Sequence, residues 1–336
     1  MSIAFGVLAT WWYVRGGPST GEIARAEHAL EVGDLTGARS ILARVLEERP
    51  REPRARLLYA RLLRLSGRAR EADVALGRAM ELGVPEADLW REYGLLIAGS
   101  DFGKAEPILL RALGRSPHDP EILAALTDGT ARQDHWVDSV DFANRWLKAE
   151  PDRVEARIAR ARALVRTARP GEAAADLRIA AGRRPRDYQI RLFLADCLMG
   201  TNNPAGASAE FEEARQLRPD LAEPLVGLAR CDLELGEPDR ARSSLDRAIE
   251  LDPSSRIALT TRGSLAVKRQ QDELAKADFE RVVALDPNHR EAHFQLAQIY
   301  RRLGEHRRAE EHERAFRELS GAPSGVPEAG PNVGRE

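Results

Sequence analysis

A small residue recurs along almost the whole of this 336-residue chain at a spacing of about 34 residues. The positions are Ala38, Ala72, Ala105, Ser139, Ala173, Ala207, Ala241, Ala275 and Ala309, and only the step from Ala72 to Ala105 is shorter, by one position. A second series of small side chains, from Ala26 to Ala297, precedes the first by a constant interval, except that Gly94 lies one position closer to Ala105. A third series is proline, from Pro50 to Pro287, and proline cannot continue a helix interior. This constant period indicates a stack of similar repeats rather than one globular core.

The pattern inside one period predicts two helices. In residues 222–255, apolar side chains recur at helical spacing on either side of Gly236, which is predicted to end the first helix. They are Leu225, Leu228, Ala229 and Leu235 before the glycine, and Ala241, Leu245, Ala248 and Ile249 after it. The two series of small residues should lie where the paired helices cross, because a methyl group or a hydrogen lets two backbones approach closely. One such hairpin cannot bury its apolar face alone, so neighbouring hairpins must stack.

The last period, AHFQLAQIYRRLGEHRRAEEHERAF, closely resembles the tetratricopeptide repeat family. Its matching positions are Leu296, Ala297, Tyr300, Leu303, Gly304, Ala309 and Phe316. The resemblance implies an all-α fold, a right-handed superhelical solenoid of nine helix–turn–helix repeats spanning residues 19–321. The fourth repeat departs most from the pattern, since Thr127, Thr130 and Ser139 replace apolar or small residues. We expect Trp136 and Trp146 to repack it.

Both termini differ in composition from the repeats. Residues 2–14, SIAFGVLATWWYV, carry no charge and precede Arg15. We interpret 1–15 as an apolar segment that favours a membrane anchor, at a bacterial inner membrane with the side of the repeats undetermined. A cleaved signal peptide, or a helix docked on the first repeat of a cytoplasmic protein, remains an alternative. Residues 16–18 are predicted to be a linker, and the glycine- and proline-rich 322–336 a disordered tail.

Composition excludes some function classes. The net charge is −2 with 31 % charged residues, which argues against a nucleic-acid partner. The two cysteines, Cys197 and Cys231, lie one period apart at equivalent places, where we expect small buried core residues and no disulfide. No catalytic motif or cofactor-binding pattern is present, so no cofactor and no enzymatic activity are predicted. His289, His293 and two further histidines near the C-terminus leave a metal-binding or enzymatic role as a remote alternative.

In proteins of this family the first helices line a concave surface that holds peptides, and two series of residues should face it here. The residue after each member of the second small series alternates in sign from Asp128 to Arg230. The place one helical turn earlier is largely apolar, and we assign Trp90 and Phe294 to it as aromatic anchors. The predicted partner-binding groove comprises Arg61, Trp90, Asp128, Arg162, Leu192, Asp196, Arg230 and Phe294. The alternating charges could equally form a salt-bridge ladder between repeats.

These observations favour a non-enzymatic adaptor that binds a protein or peptide in its groove. The apolar N-terminus would anchor it in a bacterial cell-envelope, secretion or polymer-export assembly. The alternative is a structural or self-associating spacer whose groove holds no ligand.

Overall fold

The computed structural model describes residues 18–321, and every regular element in that range is an α-helix. The helices are α1 (Pro18–Glu31), α2 (Leu35–Glu48), α3 (Pro53–Leu65), α4 (Ala69–Glu81), α5 (Glu86–Ile97), α6 (Phe102–Arg115), α7 (Pro120–Arg132), α8 (Trp136–Ala149), α9 (Val154–Arg166), α10 (Pro170–Arg183), α11 (Tyr188–Gly200), α12 (Pro204–Leu217), α13 (Glu223–Glu234), α14 (Pro238–Leu251), α15 (Arg256–Lys268), α16 (Asp272–Leu285), α17 (Arg290–Arg302) and α18 (His306–Leu319). The predicted all-α fold is confirmed.

Odd-numbered helices are the first and even-numbered helices the second members of the predicted repeats. The prolines from Pro50 to Pro287 lie in the connections that join one repeat to the next. Pro18 is the first residue of α1 and not part of a linker, because proline is tolerated in the first turn, where its missing N–H has no helical partner.

The chain divides into two compact units between Thr167 and Ala168, so the N-terminal unit holds α1–α9 and the C-terminal unit α10–α18.

Residues 1–15 and 322–336, which the sequence assigns to an anchor and a tail, lie outside the described residues. Among α1–α18, no helix combines the length and apolar composition needed to cross a bilayer.

The two cysteines are buried and free, as expected of core positions. Burial raises the pKa of each thiol to about 11.

The small residues lie where the helices of a pair touch. Every member of the first series, from Ala38 to Ala309, is 0 or 1 % exposed. A Cβ added to Gly94 would come within 2.9 Å of Leu109, and one added to Gly263 within 3.0 Å of a ring carbon of Phe279. A large apolar side chain of the second helix therefore occupies the volume that a larger residue on the first helix would need.

The fourth repeat keeps the helix pair of the others despite its polar residues. The Ser139 hydroxyl donates a hydrogen bond to the Thr127 carbonyl oxygen at 3.0 Å, and so joins α8 to α7. The hydroxyls of Thr127 and Thr130 each donate to a carbonyl of the preceding helical turn at 2.7 Å. Of the two tryptophans expected to repack this repeat, Trp146 enters the core and Trp136 lies half-buried beneath the guanidinium of Arg166. The polar hydroxyls of this repeat are thus satisfied by backbone carbonyls.

In every repeat of the described chain except the third, the turn between the two helices contains one residue in the left-handed backbone region. Gly236 has φ 77°, and the N–H groups of Gly236 and Glu237 donate to the carbonyls of Leu233 and Asp232, which is the Schellman arrangement. The equivalent residue is Gln270 in the eighth repeat, with φ 56°. The third repeat, which is one residue shorter, has no left-handed residue in its turn within the described chain.

Replacement of Gln270 by glycine should stabilise the protein by about 0.5–1 kcal/mol. A left-handed conformation costs an L-residue roughly 1–2 kcal/mol, and the greater freedom of an unfolded glycine offsets about half of that. The change is measured as a shift in the chemical denaturation midpoint. Gln271→Gly is the matched control, since Gln271 has φ −92° and should show no gain. Equal midpoints for the two variants would contradict the proposed role of the turn.

Candidate partner-binding site

Charged side chains of the first helices form a dense ionic network in the N-terminal unit. The guanidinium groups of Arg61 and Arg64 on α3 lie 2.5 and 2.6 Å from the carboxylate of Glu121 on α7. Arg64 also lies 3.0 Å from Glu92 on α5. The Arg61, Arg64 and Glu92 side chains are only 14, 15 and 6 % exposed. Three successive first helices are thus joined by charges largely removed from water.

Arg91 completes this network. Its guanidinium lies 2.6 Å from Asp119, whose carboxylate also accepts the N–H groups of Glu121 and Ile122 at the start of α7. Burial lowers the pKa of Arg91, but the hydrogen bond to Asp119 and the surrounding carboxylates outweigh burial and raise it. Burial raises the pKa of Glu121, but the opposite effect of the three arginines is larger. The resulting pKa is about 2. Arg91 and Glu121 are therefore charged at neutral pH, and each faces an internal partner.

The network changes the interpretation of two predicted site residues. Arg61 faces internal carboxylates, so its charge is already neutralised within the protein. Arg91, and not Trp90, lies one period after Leu57, so the aromatic residue was placed one position out of register. Trp90 instead lines a mainly apolar cavity of 570 Å³ between α4 and α5, and its indole N–H donates to Glu86 at 2.7 Å.

Three predicted residues converge on one cavity of 640 Å³ in the C-terminal unit, hereafter the C-terminal groove. They are Leu192 and Asp196 on α11 and Arg230 on α13. Its apolar lining includes Leu192, Phe211, Leu221, Val226, Leu251 and Ile257, and its charged lining is Asp196, Asp220, Glu223, Arg230 and Asp252. The volume falls within the ~300–1,000 Å³ range of ligand-binding pockets.

The floor of the C-terminal groove depends on another close helix contact. Gly227 of α13 faces the Phe211 ring of α12, and a Cβ at Gly227 would lie 2.4 Å from that ring. Leu192 and Val226 beside it are each 7 % exposed, whereas Ile257 is 66 % exposed at the edge of the groove. The cavity therefore combines a packed apolar floor with an aliphatic side chain open to solvent.

The charges of the C-terminal groove are weakly paired. Arg230 lies 3.5 Å from Asp196, and both side chains are about half exposed. Asp220 is paired with Arg218 at 2.8 Å, but Glu223 and Asp252 form no ion pair with any residue between 18 and 321. Desolvation by the surrounding protein raises the pKa of the Asp196 carboxyl, and Arg230 offsets only part of that rise.

The other predicted residues lie apart from this groove. Asp128 and Arg162 are both exposed in the N-terminal unit and make no ion pair with described residues, so the expected ladder is absent at that step. Phe294 is 37 % exposed, and its ring centroid lies 5.3 Å from that of Phe316 in the last repeat.

Apart from Asp196, the acidic groups of both sites were not predicted from the sequence, although a signal was present. Glu121 and Glu223 occupy the same place in repeats four and seven, three periods apart. Asp220 and Asp252 adjoin Pro219 and Pro253 in the connections between repeats. These positions lie outside the two series of residues that were expected to face the groove.

Two of the four C-terminal histidines, His293 and His312, lie within hydrogen-bonding distance of each other. Nδ1 of His293 lies 2.9 Å from Nδ1 of His312, and Nε2 of His293 lies 3.0 Å from the Pro287 carbonyl oxygen. His289 instead caps α17, where its Nδ1 accepts the Ala292 N–H. Residues 18–321 contain no group of three or more potential ligands arranged to hold a metal ion.

The histidine pair should make the folded state less stable in mild acid. Burial and the neighbouring His293 lower the pKa of His312 below its usual 6.5, although Glu311 and Glu280 oppose this. Below pH 6.5, His312 is therefore protonated in the unfolded chain but remains neutral in the folded chain. The free energy of unfolding consequently falls as the pH drops from 6.5 toward the lowered pKa. We expect the thermal midpoint of His312→Gln to fall less between pH 7.5 and 5.5 than that of the native protein.

The solvent-exposed His118 provides the control for this measurement. His118→Gln should keep the native pH dependence. An unchanged pH dependence in His312→Gln would show that the pair does not contribute to acid sensitivity.

Two protein-family models support the repeat architecture. One tetratricopeptide repeat family model matches residues 29–91 and 202–262, and a second matches 158–222 and 260–323. No curated protein matches the chain. Similar solved structures include a crystal structure of MamA (17 % identity, 48 % of this chain, 94 % of that chain, TM-score 0.44) and a MamA MSR-1 structure (19 %, 50 %, 98 %, 0.46). A monomeric mutant of IFIT1 with Gppp-AAAA is also similar (18 % identity, 78 % of this chain, 68 % of that chain, TM-score 0.44).

The matched segments together span more than half of the chain and follow the period of the small residues. The helix pairs observed at that period have the order and length that such repeats require. The chain belongs to the tetratricopeptide repeat family.

Proposed function

We propose that this protein is a non-enzymatic adaptor that binds a segment of another protein in its C-terminal groove. The observation that carries the proposal is the convergence of Leu192, Asp196 and Arg230 on one 640 Å³ cavity with an apolar floor. Such a cavity offers a partner both a place to bury apolar side chains and polar groups that orient it.

The state of the charges favours the C-terminal groove over the first helices of the N-terminal unit. In that unit, Arg61, Arg64 and Arg91 are already bound to carboxylates at 2.5–2.6 Å. A ligand would have to break these contacts and leave a buried charge unpaired, which is costly. In the C-terminal groove the pair of Arg230 and Asp196 is longer and half exposed, so a ligand can replace it at little cost.

The membrane anchor remains part of this proposal. Residues 2–14 are uncharged, end in Trp11, Trp12, Tyr13 and Val14, and are followed by Arg15, a composition typical of a membrane interface. An anchor there would hold the repeats at a bacterial membrane as part of a cell-envelope, secretion or polymer-export assembly.

Loss of the exposed aliphatic side chain at the groove edge should weaken partner binding by about tenfold. Ile257→Gln removes apolar surface that a partner would cover, and about 1.4 kcal/mol corresponds to a factor of ten in affinity. The readout is quantitative mass spectrometry of proteins that co-purify with the native and variant chains. Val137→Gln is the matched control, because Val137 is 68 % exposed on α8 while Ile257 is 66 % exposed.

We expect at least one protein to be retained by Val137→Gln and lost with Ile257→Gln, with the circular dichroism of both variants unchanged. Identical co-purifying sets from the two variants would refute the groove assignment.

The anchor is tested separately by carbonate extraction of membranes from the native host. The full-length chain should stay in the pellet, and a variant lacking residues 2–14 should appear in the supernatant. Release of the full-length chain by carbonate would refute membrane insertion and leave the groove proposal unaffected.

A further inference from the structure

The lining of the C-terminal groove has an excess of negative charge. Four carboxylates line it, from Asp196, Asp220, Glu223 and Asp252, against the single guanidinium of Arg230. The whole chain is nearly neutral at −2, so this imbalance is local and not a consequence of composition.

Two of these carboxylates have charge that the protein does not neutralise. Glu223 stands exposed at the start of α13 and pairs with no cation of the described chain. Asp252 is half-buried after α14, and its carboxylate accepts only the backbone N–H and the hydroxyl of Ser254, at 2.9 and 2.6 Å, among residues 18–321. Hydrogen bonds from neutral donors leave the negative charge of a carboxylate in place, so both groups attract a cation.

In the N-terminal unit, by contrast, the charges that join neighbouring helices are balanced in number. There, Arg61, Arg64 and Arg91 are balanced by Glu92, Asp119 and Glu121, three charges of each sign. Glu223 is an equivalent of Glu121 in the C-terminal unit, and no such arginine is paired with it among the described residues. The same place in the repeat is therefore internally neutralised in one unit and left open in the other.

The apolar lining sets a second requirement for the ligand. Leu192, Val226 and the Phe211 ring form the floor, and Ile257 extends the apolar surface to solvent. A lone cation such as a metal ion or a polyamine would leave this surface wet, whereas a large aliphatic or aromatic side chain would cover it. The groove therefore suits a ligand that carries an apolar anchor and a positive charge close together.

We infer that the segment bound in the C-terminal groove is basic and amphipathic, with Lys or Arg beside a large apolar residue. This inference rests on the proposed function, since it names the partner of the same groove. The apolar anchor lies on the floor formed by Leu192 and Val226, and the basic groups meet Glu223 and Asp252. An acidic peptide or a nucleic-acid phosphate would face like charge, which costs affinity.

The inference is tested with a phage-displayed library of random dodecapeptides, selected on the full-length protein. Enriched peptides are synthesised with a fluorescent label and their affinities measured by anisotropy. We expect them to carry net positive charge and at least one Leu, Ile, Phe or Trp. The double variant Glu223→Lys with Asp252→Lys should weaken their binding by about tenfold or more, and replacing the basic residues of the peptide by Glu should restore it.

The control makes the same change in net charge away from the groove. Glu310→Lys with Glu318→Lys alters two exposed residues of α18 and should leave the affinity within about twofold. The comparison separates a local effect of the groove from a general effect of net charge.

The two proposals fail in different ways. Peptides that bind Ile257→Gln as tightly as the native chain, or a library that yields no Ile257-dependent binder, would refute the groove as a binding site. Peptides that depend on Ile257 but are acidic or neutral, or that bind the double variant unchanged, would refute the basic ligand and leave the proposed function standing.

Discussion

The close approach of two helices through small side chains is the contact on which the rest of this structure depends. Each time the chain folds back on itself, a residue no larger than alanine, serine or threonine lies at the crossing. At Gly94 and Gly263 the helices are so close that even one added carbon atom would crowd Leu109 or Phe279. The space saved at the crossing is filled by large apolar side chains of the second helix, and burying one of them contributes roughly 1.5–3 kcal/mol. Repeating this contact lets the core grow by addition, one hairpin at a time.

The same contact tolerates polar residues when their hydrogen bonds are satisfied. The fourth repeat carries hydroxyls at both crossing positions, and these donate to carbonyls within and between its helices, including that of Thr127. The turn tolerates variation for a different reason. Outside the third repeat, the turn contains one residue with positive φ, and at Gln270 the Schellman hydrogen bonds hold the strained backbone in place. These departures explain why a sequence that fails the family pattern locally still forms the same hairpin.

The chain is a tetratricopeptide repeat scaffold, and the charges on its first helices divide into two kinds. Those of the network around Arg61, Arg64 and Arg91 are largely buried, paired and neutral in sum, so they hold neighbouring helices together. Those of the C-terminal groove are exposed or half-buried, unequal in number and only partly paired, beside an apolar floor. Burial explains the difference in behaviour. An ion pair removed from water is costly to break, whereas an exposed pair is exchanged readily with a ligand.

The sequence by itself determined the fold class, the repeat length, the helix pairs and the residues at their crossings, because these follow from a strict period and from the size of single side chains. It also identified Leu192, Asp196 and Arg230, which the structure brings to one cavity. Only the tertiary structure decided which charges are paired. Arg61 meets Glu121 of a distant repeat, and Arg91 takes the place assigned to Trp90. A long side chain can reach partners in several repeats, so its contact depends on three-dimensional distance and on competition among neighbours, which no linear spacing records.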